Sequence, residues 1–182
     1  MYAHFSFNIL NLMNPIALIR QFFKGLTAET TPGQIGAGIM LGFLIGLMPK
    51  ATLTAQFLIV LMMATRVNIP MAIITVFAVS LINPLFDRLT DPIGYALLTS
   101  EALRPFWTKL YNMPIAPWTG FNNTVVPGGL VLGALLSAPV YLAGRRFGVF
   151  YNDKFRDRLM NSKFIKSLRA SVLLDWYFKG EA

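Results

Sequence analysis

The chain has 182 residues, of which 55% are hydrophobic and only 13% charged, with a formal net charge of +8. A chain this short cannot bury so much apolar surface in a soluble core, and its charged share is about half the usual one. The composition therefore excludes an ordinary soluble domain, and the absence of cysteine excludes disulfides, cysteine nucleophiles and thiolate metal sites.

The opening "MYAHFSFNILNLMNPIALIRQFF" has neither a charged n-region nor a small-residue cleavage site, so no cleavable signal peptide is expected. It predicts an amphipathic interfacial helix instead. Asn14 is placed to cap it and Pro15 fits the first helical position. Ile16, Ile19, Phe23 and Leu26 share one face, with Arg20, Gln21 and Lys24 elsewhere. This helix and the following loop make up residues 1–33.

Residues 35–65 are an apolar run with one charge, Lys50. As one straight helix the run would be about 46 Å long, against a hydrocarbon core of roughly 30 Å. Pro49 interrupts it by removing a backbone donor and crowding the preceding turn. The run therefore divides at "MPKA" into arms too short to span comfortably, which predicts a re-entrant helical hairpin. A fully spanning hairpin is the alternative, and charge counting does not separate the two. Residues 69–86 form the first clear spanning segment, closed by the Pro-punctuated exit "NPLFDRLTDP". The stretch up to residue 120 carries Trp107, Tyr111 and Trp118, an interface-like density of aromatics. Residues 125–143 are the second clear span, which "GRRFG" is expected to stop. From residue 147 a basic amphipathic tail follows, with Phe155, Leu159, Ile165, Leu168, Val172 and Trp176 as its apolar stripe.

The fold class expected is an all-α membrane protein. It comprises the hairpin, at least two transmembrane helices in a membrane domain of residues 34–146, and interfacial helices at both ends. Residues 144–182 carry nine basic and four acidic side chains, whereas residues 87–120 are neutral overall. That asymmetry reads as topology, with both termini cytoplasmic, rather than as a nucleic-acid interface. Anionic lipid headgroups are the partner expected for the tail.

Several constellations are candidates for function. Gly38, Gly42 and Gly46 recur every four residues on one helical face, as do Gly129, Gly133 and Ser137. Small faces of this kind let backbones approach closely in lipid. Lys50, followed by Thr52, Thr54 and Gln56, has three readings: a wet mid-membrane site for an anion such as a lipid phosphate, a turn at the far interface, or a snorkelling side chain. Asn68 and Pro70 precede the first span and Asn83 and Pro84 close it; capping or turn chemistry explains such pairs. Asn83 is followed by Asp87, Arg88 and Asp91, and the two carboxylates at i, i+4 share a face if the segment is helical. They form a candidate cation or headgroup site, or a solvated exit turn. Catalytic patterns are sparse. His4 is the only histidine, no nucleophile elbow or phosphate loop is present, and no metal or cofactor is expected. A non-enzymatic role is favoured, and a lipid-modifying enzyme using Asp87 and Asp91 is the alternative.

The stretch "MLGFLIGLMPKATLTAQFLIVLMMATRVNIPMAIITVFAVSLINPLFDRLTDPIGYALL" resembles the bacterial membrane-protein family catalogued as domain of unknown function 2062. The resemblance rests on the order of Gly42, Gly46, Pro49, Asn68, Pro70, Asn83, Pro84, Pro92 and Gly94, and on the closing "GGLVLGALLSAPVYLAGRRFG". It covers roughly residues 30–150. It implies a multi-pass inner-membrane protein with no established activity. It also implies a large envelope protein as a partner, in an envelope assembly that handles lipid. The "PKAT" tip departs from the Pro-x-x-Gly turn seen in relatives, so the resemblance gives Lys50 no general role.

Overall fold

A computed structural model describes residues 30–161, together with residues 19, 22, 23, 25, 26 and 28. The described residues are helical throughout their regular structure, with no strand among them. Asn14, Pro15 and Ile16 of the expected N-terminal helix lie outside them, as does the tail beyond residue 161.

Helix α1 spans Pro32–Leu47. Thr31 and Gln34 form a reciprocal capping box and Pro32 occupies the first turn. The helix stops because Met48 precedes Pro49 and is held extended at φ −94°, ψ 146°. Thr52 then caps α2, Leu53–Ala64, by accepting from the Ala55 N–H at 3.3 Å. The chain returns to its starting end. There the Asn68 N–H donates to the Gln34 carbonyl at 3.1 Å and the Asn68 amide donates to Thr30 Oγ1 at 3.1 Å. Asn68 also caps α3, accepting from the Met71 N–H at 3.0 Å, with Pro70 in the first turn.

Helix α3 runs over Ile69–Thr99. The expected exit at Asn83-Pro84 is not one: the helix continues through both Pro84 and Pro92. Each proline removes one backbone donor, and neighbouring helices can sustain a helix through that loss. A 3₁₀ turn, the short helix α4 (Arg104–Tyr111) and a second 3₁₀ turn (Ala116–Thr119) cross back to α5, Val125–Phe150. "GRRFG" does not end α5, which passes through it into a π turn, Tyr151–Phe155, and α6, Arg156–Asn161. Its glycines serve packing instead. Gly144 lies against Gly36 and Gly148 against Pro32.

The three longest packed helices form a bundle with α1 in the middle. Gly38, Gly42 and Gly46 meet Asn68, Ala72 and Val79 of α3 in order, so α1 and α3 run parallel. Gly129 and Gly133 meet Leu47 and Leu44, so α5 runs antiparallel to α1. The glycines of α1 thus lie against α3, and Gly129 and Gly133 of α5 lie against α1. Lower cohesion from missing side chains is offset by the backbone contact they permit. Leu41, Ile45, Met48, Ala55, Leu58, Met62 and Val126 fill the space around the hairpin, and Leu26, Ile35, Met71 and Tyr151 close its base. At that base the Tyr151 hydroxyl donates to the Leu26 carbonyl at 2.9 Å and the Asn152 amide to the Thr30 carbonyl at 2.9 Å.

Helices α3 and α5, with α5 extended through Phe155, are each long and apolar enough to cross a bilayer. Helices α1 and α2 are shorter apolar helices.

Candidate functional site

The hairpin tip accounts for Lys50. Its ammonium folds back on the end of α1 and donates to the Gly46 carbonyl at 2.9 Å and the Met48 carbonyl at 2.6 Å. The last carbonyls of a helix have no intrahelical donors and carry partial negative charge, so a cation there acts as a C-terminal cap. Gln56 completes the unit by donating its amide to the Lys50 carbonyl at 2.9 Å. The α4–α5 connection touches the second half of the tip, where the Thr54 hydroxyl donates to the Thr119 carbonyl at 2.8 Å. Gly120 makes that close approach possible: its φ of +76° suits glycine, and a Cβ there would press on Thr52. Lys50→Ala is expected to lower stability by about 1 kcal/mol, read as a lower unfolding temperature in detergent. Lys50→Arg is expected to restore most of it, since an arginine keeps the charge and the donors.

The second group lies along α3. Asn83, Asp87, Thr90 and Asp91 share a stripe within an arc of about 100°, as positions i, i+4, i+7 and i+8 of a helix must. Continuation of the helix through Pro84 creates this stripe. The Asn83 amide donates to Asp87 Oδ1 at 3.0 Å. Thr124, just before α5, donates its hydroxyl to Asp91 Oδ1. Thr90 is fully buried where α3 crosses α5, with its carbonyl against Gly128, while Gly94 lies against Thr124. Asp91 is exposed, whereas Asp87 and Asn83 are half-buried. Arg88 does not join it. It lies about 140° round the helix from Asn83 and is exposed.

The structure therefore divides the expected ligand-binding residues into two units: Lys50 with Gln56 at the tip, and Asn83, Asp87 and Asp91 on α3. Thr90 and Thr124 are additional members that the sequence reading omits. The i, i+7 spacing of Asn83 and Thr90 is the signal for Thr90, and it is visible only once the helix is continued past the proline. Among the described residues, no group of three or more acidic, histidine or cysteine side chains is placed to hold a metal ion.

Comparison with known proteins identifies a family. Residues 17–156 match the family described as "Uncharacterized protein conserved in bacteria (DUF2062)". The chain is also 28% identical over 130 residues to an "Uncharacterized protein" of Treponema pallidum (strain Nichols), an alignment covering 71% of this chain and 80% of the relative. No solved structure matches it. The matched segment contains the hairpin, both long helices and the polar stripe, and the chain belongs to the DUF2062 family of bacterial proteins.

Proposed function

We infer that this chain is a multi-pass protein of the bacterial inner membrane, acting without catalysis as a membrane partner or transporter-like element in envelope or lipid traffic. The observation that carries this reading is the apolar exterior of the bundle. Phe57 of α2, Phe77, Leu81 and Leu85 of α3 and Leu135 of α5 are all between 64% and 70% exposed. A soluble monomer rarely leaves so many large apolar side chains in water, whereas lipid accepts them.

Charge supports an orientation. Arg66, Arg145, Arg146 and Lys154 gather at the hairpin base, whereas Asp87, Asp91 and Glu101 offset the cations towards the other end. The bias towards cytoplasmic lysine and arginine turns the base, and both termini, towards the cytoplasm. The base is then the surface for anionic headgroups, and a large envelope protein is the partner that the family resemblance implies. Arms of about 24 and 18 Å fall short of a core of roughly 30 Å, which supports a re-entrant hairpin. Asp87 and Asp91 are each held by a neutral donor rather than by a base, which favours the non-catalytic role over lipid modification.

The test uses the absence of cysteine. Single-cysteine variants at Thr65, Lys50 and Asn122 are treated in cells with a membrane-impermeant thiol reagent. Asn122→Cys is expected to react from the periplasm, and Thr65→Cys only after permeabilisation. The reverse pattern overturns the orientation. Lys50→Cys is expected to resist the periplasmic reagent, and its labelling would make the hairpin a full span. Incubating the purified protein with a bacterial lipid extract is expected to leave the lipid species unchanged, with anionic phospholipid retained. A new lipid species would replace this reading with the enzymatic one.

A further inference from the structure

We propose that the cleft between α4 and the loop before α5 binds a neutral hexopyranose unit, stacked on Trp107 and Tyr111 and held at its hydroxyls by Asn112 and Asn122. This ligand goes beyond the membrane reading above, and the site is the same whichever way the protein faces.

The cleft has a volume of about 430 Å³ and is open on one side. That is at the lower end of the roughly 300–1,000 Å³ of small-molecule sites. The last turn of α3 reaches it through Leu98, α4 through Trp107, Tyr111 and Asn112, and the loop before α5 through Phe121 and Asn122. A spacing of four puts Trp107 and Tyr111 on one side of α4. The Trp107 indole N–H donates to the Leu97 carbonyl at 2.9 Å, which fixes the ring against α3. Phe121 is buried beside it, with the ring planes 10° apart and the centroids 5.9 Å apart. These two rings form one wall, and the Tyr111 ring, 62% exposed, stands at the mouth.

Interfacial anchoring accounts for exposed aromatic side chains in general, but it gives no role to the carboxamides set among these rings. Asn112 donates an amide N–H to the Thr108 carbonyl at 2.9 Å. That bond orients the carboxamide and leaves its oxygen available. The Asn122 side chain and the Tyr111 hydroxyl make no hydrogen bond among the described residues and are exposed.

The lining selects the ligand by what it lacks as well as by what it holds. Among the described residues no charged side chain lines the cleft, so neither a phosphate nor an ammonium finds a counter-ion there. An acyl chain would cover the carboxamides without replacing their bonds to water, which is costly. A hexopyranose meets both halves of the lining. One face of its ring presents C–H bonds, which suit the negative face of an aromatic ring. Its rim carries hydroxyls, and a carboxamide offers them both an acceptor and donors. A glycolipid headgroup and a free sugar present the same chemistry.

The experiment is a fluorescence titration of the purified full chain carrying Trp118→Phe and Trp176→Phe, which leaves Trp107 as the tryptophan reporter. An oxyethylene detergent is used, because the headgroup of a maltoside would compete. The probes are maltose, glucosyl diacylglycerol in the micelle, and diacylglycerol without sugar. A saturable change is expected with at least one of the two sugar probes and none with plain diacylglycerol. Saturation by the glucosyl lipid alone assigns the headgroup as the source, and saturation by maltose as well assigns the sugar itself. Asn122→Ala and Tyr111→Ala alter exposed side chains. Each is expected to weaken binding about five- to tenfold with the unfolding temperature unchanged. No saturable change with either sugar probe overturns the proposal. So does an equal response to plain diacylglycerol, which would make the cleft an acyl-chain site, or binding that survives unweakened in both variants.

Discussion

Gly42→Leu is expected to prevent assembly of the bundle, leaving little monodisperse protein after detergent extraction. A Cβ at Gly42 would lie 2.5 Å from the Ala72 carbonyl oxygen and 2.8 Å from Thr75 Cβ. The first obstacle is backbone, so relief requires α1 and α3 to separate. The remaining leucine atoms then have no space, and separation forfeits the close contacts made at Gly38 and Gly46 as well. Overpacking a core typically costs 1–3 kcal/mol, and this case is expected to reach about 3 kcal/mol or more. The informative comparison is between two alanines. Gly42→Ala meets the same carbonyl and is expected to destabilise. At Gly133 a Cβ meets only side chains, those of Leu44 and Leu47, with Leu44 Cδ2 the nearest atom, and that end can rotate away. Because alanine is intrinsically better than glycine in a helix by about 1 kcal/mol, Gly133→Ala is expected to be neutral or stabilising. Unfolding temperatures of the two variants check the order; equal effects would mean that α1 and α3 do not meet as described.

Asn68→Leu is expected to be the next most damaging change, lowering stability by about 2–3 kcal/mol. Asn68 is only 2% exposed. Its carbonyl oxygen caps α3, its amide reaches Thr30, and its backbone N–H closes the hairpin on Gln34. Leucine keeps the bulk and the backbone bond while removing both side-chain bonds, leaving the Met71 N–H without its cap. Asn68→Asp retains an acceptor for Met71 and loses the donation to Thr30, so it is expected to fall between. The measurement is again thermal unfolding, with protease cleavage near residue 66 as a second readout of hairpin opening. If aspartate proves as harmful as leucine, the contact with Thr30 outweighs the cap.

Much of the local structure was legible before any tertiary contact was known. Asn68 and Pro70 act over three or four residues, so a capping role follows from their spacing; Thr31 and Gln34 act over the same range, but in the sequence they read as part of a loop and its edge. Pro49 likewise ends α1 through its effect on the neighbouring residue. The four-residue glycine repeats fall where α1 lies close to α3 and α5 lies close to α1. They did not reveal which helix each face would meet, because a small-residue face is complementary to many partners.

Prolines and glycines inside the long helices misled for a related reason. Pro84 and "GRRFG" are helix terminators in water, where the freed carbonyls and the flexible glycine backbone favour an exit. In the bundle Gly144 and Gly148 are held against α1, and α3 continues through Pro84 and Pro92 while packed on α5. Packing outweighs the local preference, and the candidate site depends on that outcome: a helix ending at Asn83 would not align Thr90 with it.

The sequence by itself determined that this chain is helical and strongly apolar, with two segments long enough to cross a bilayer, and it marked where most helices begin. These properties follow from composition and from interactions within a turn or two. The tertiary structure decided the rest: the central place of α1, the use of Lys50 as a cap, and the burial of Thr90 where α3 meets α5. Those features depend on which backbone carbonyls and side chains meet across helices far apart in the chain, and no local spacing specifies such encounters.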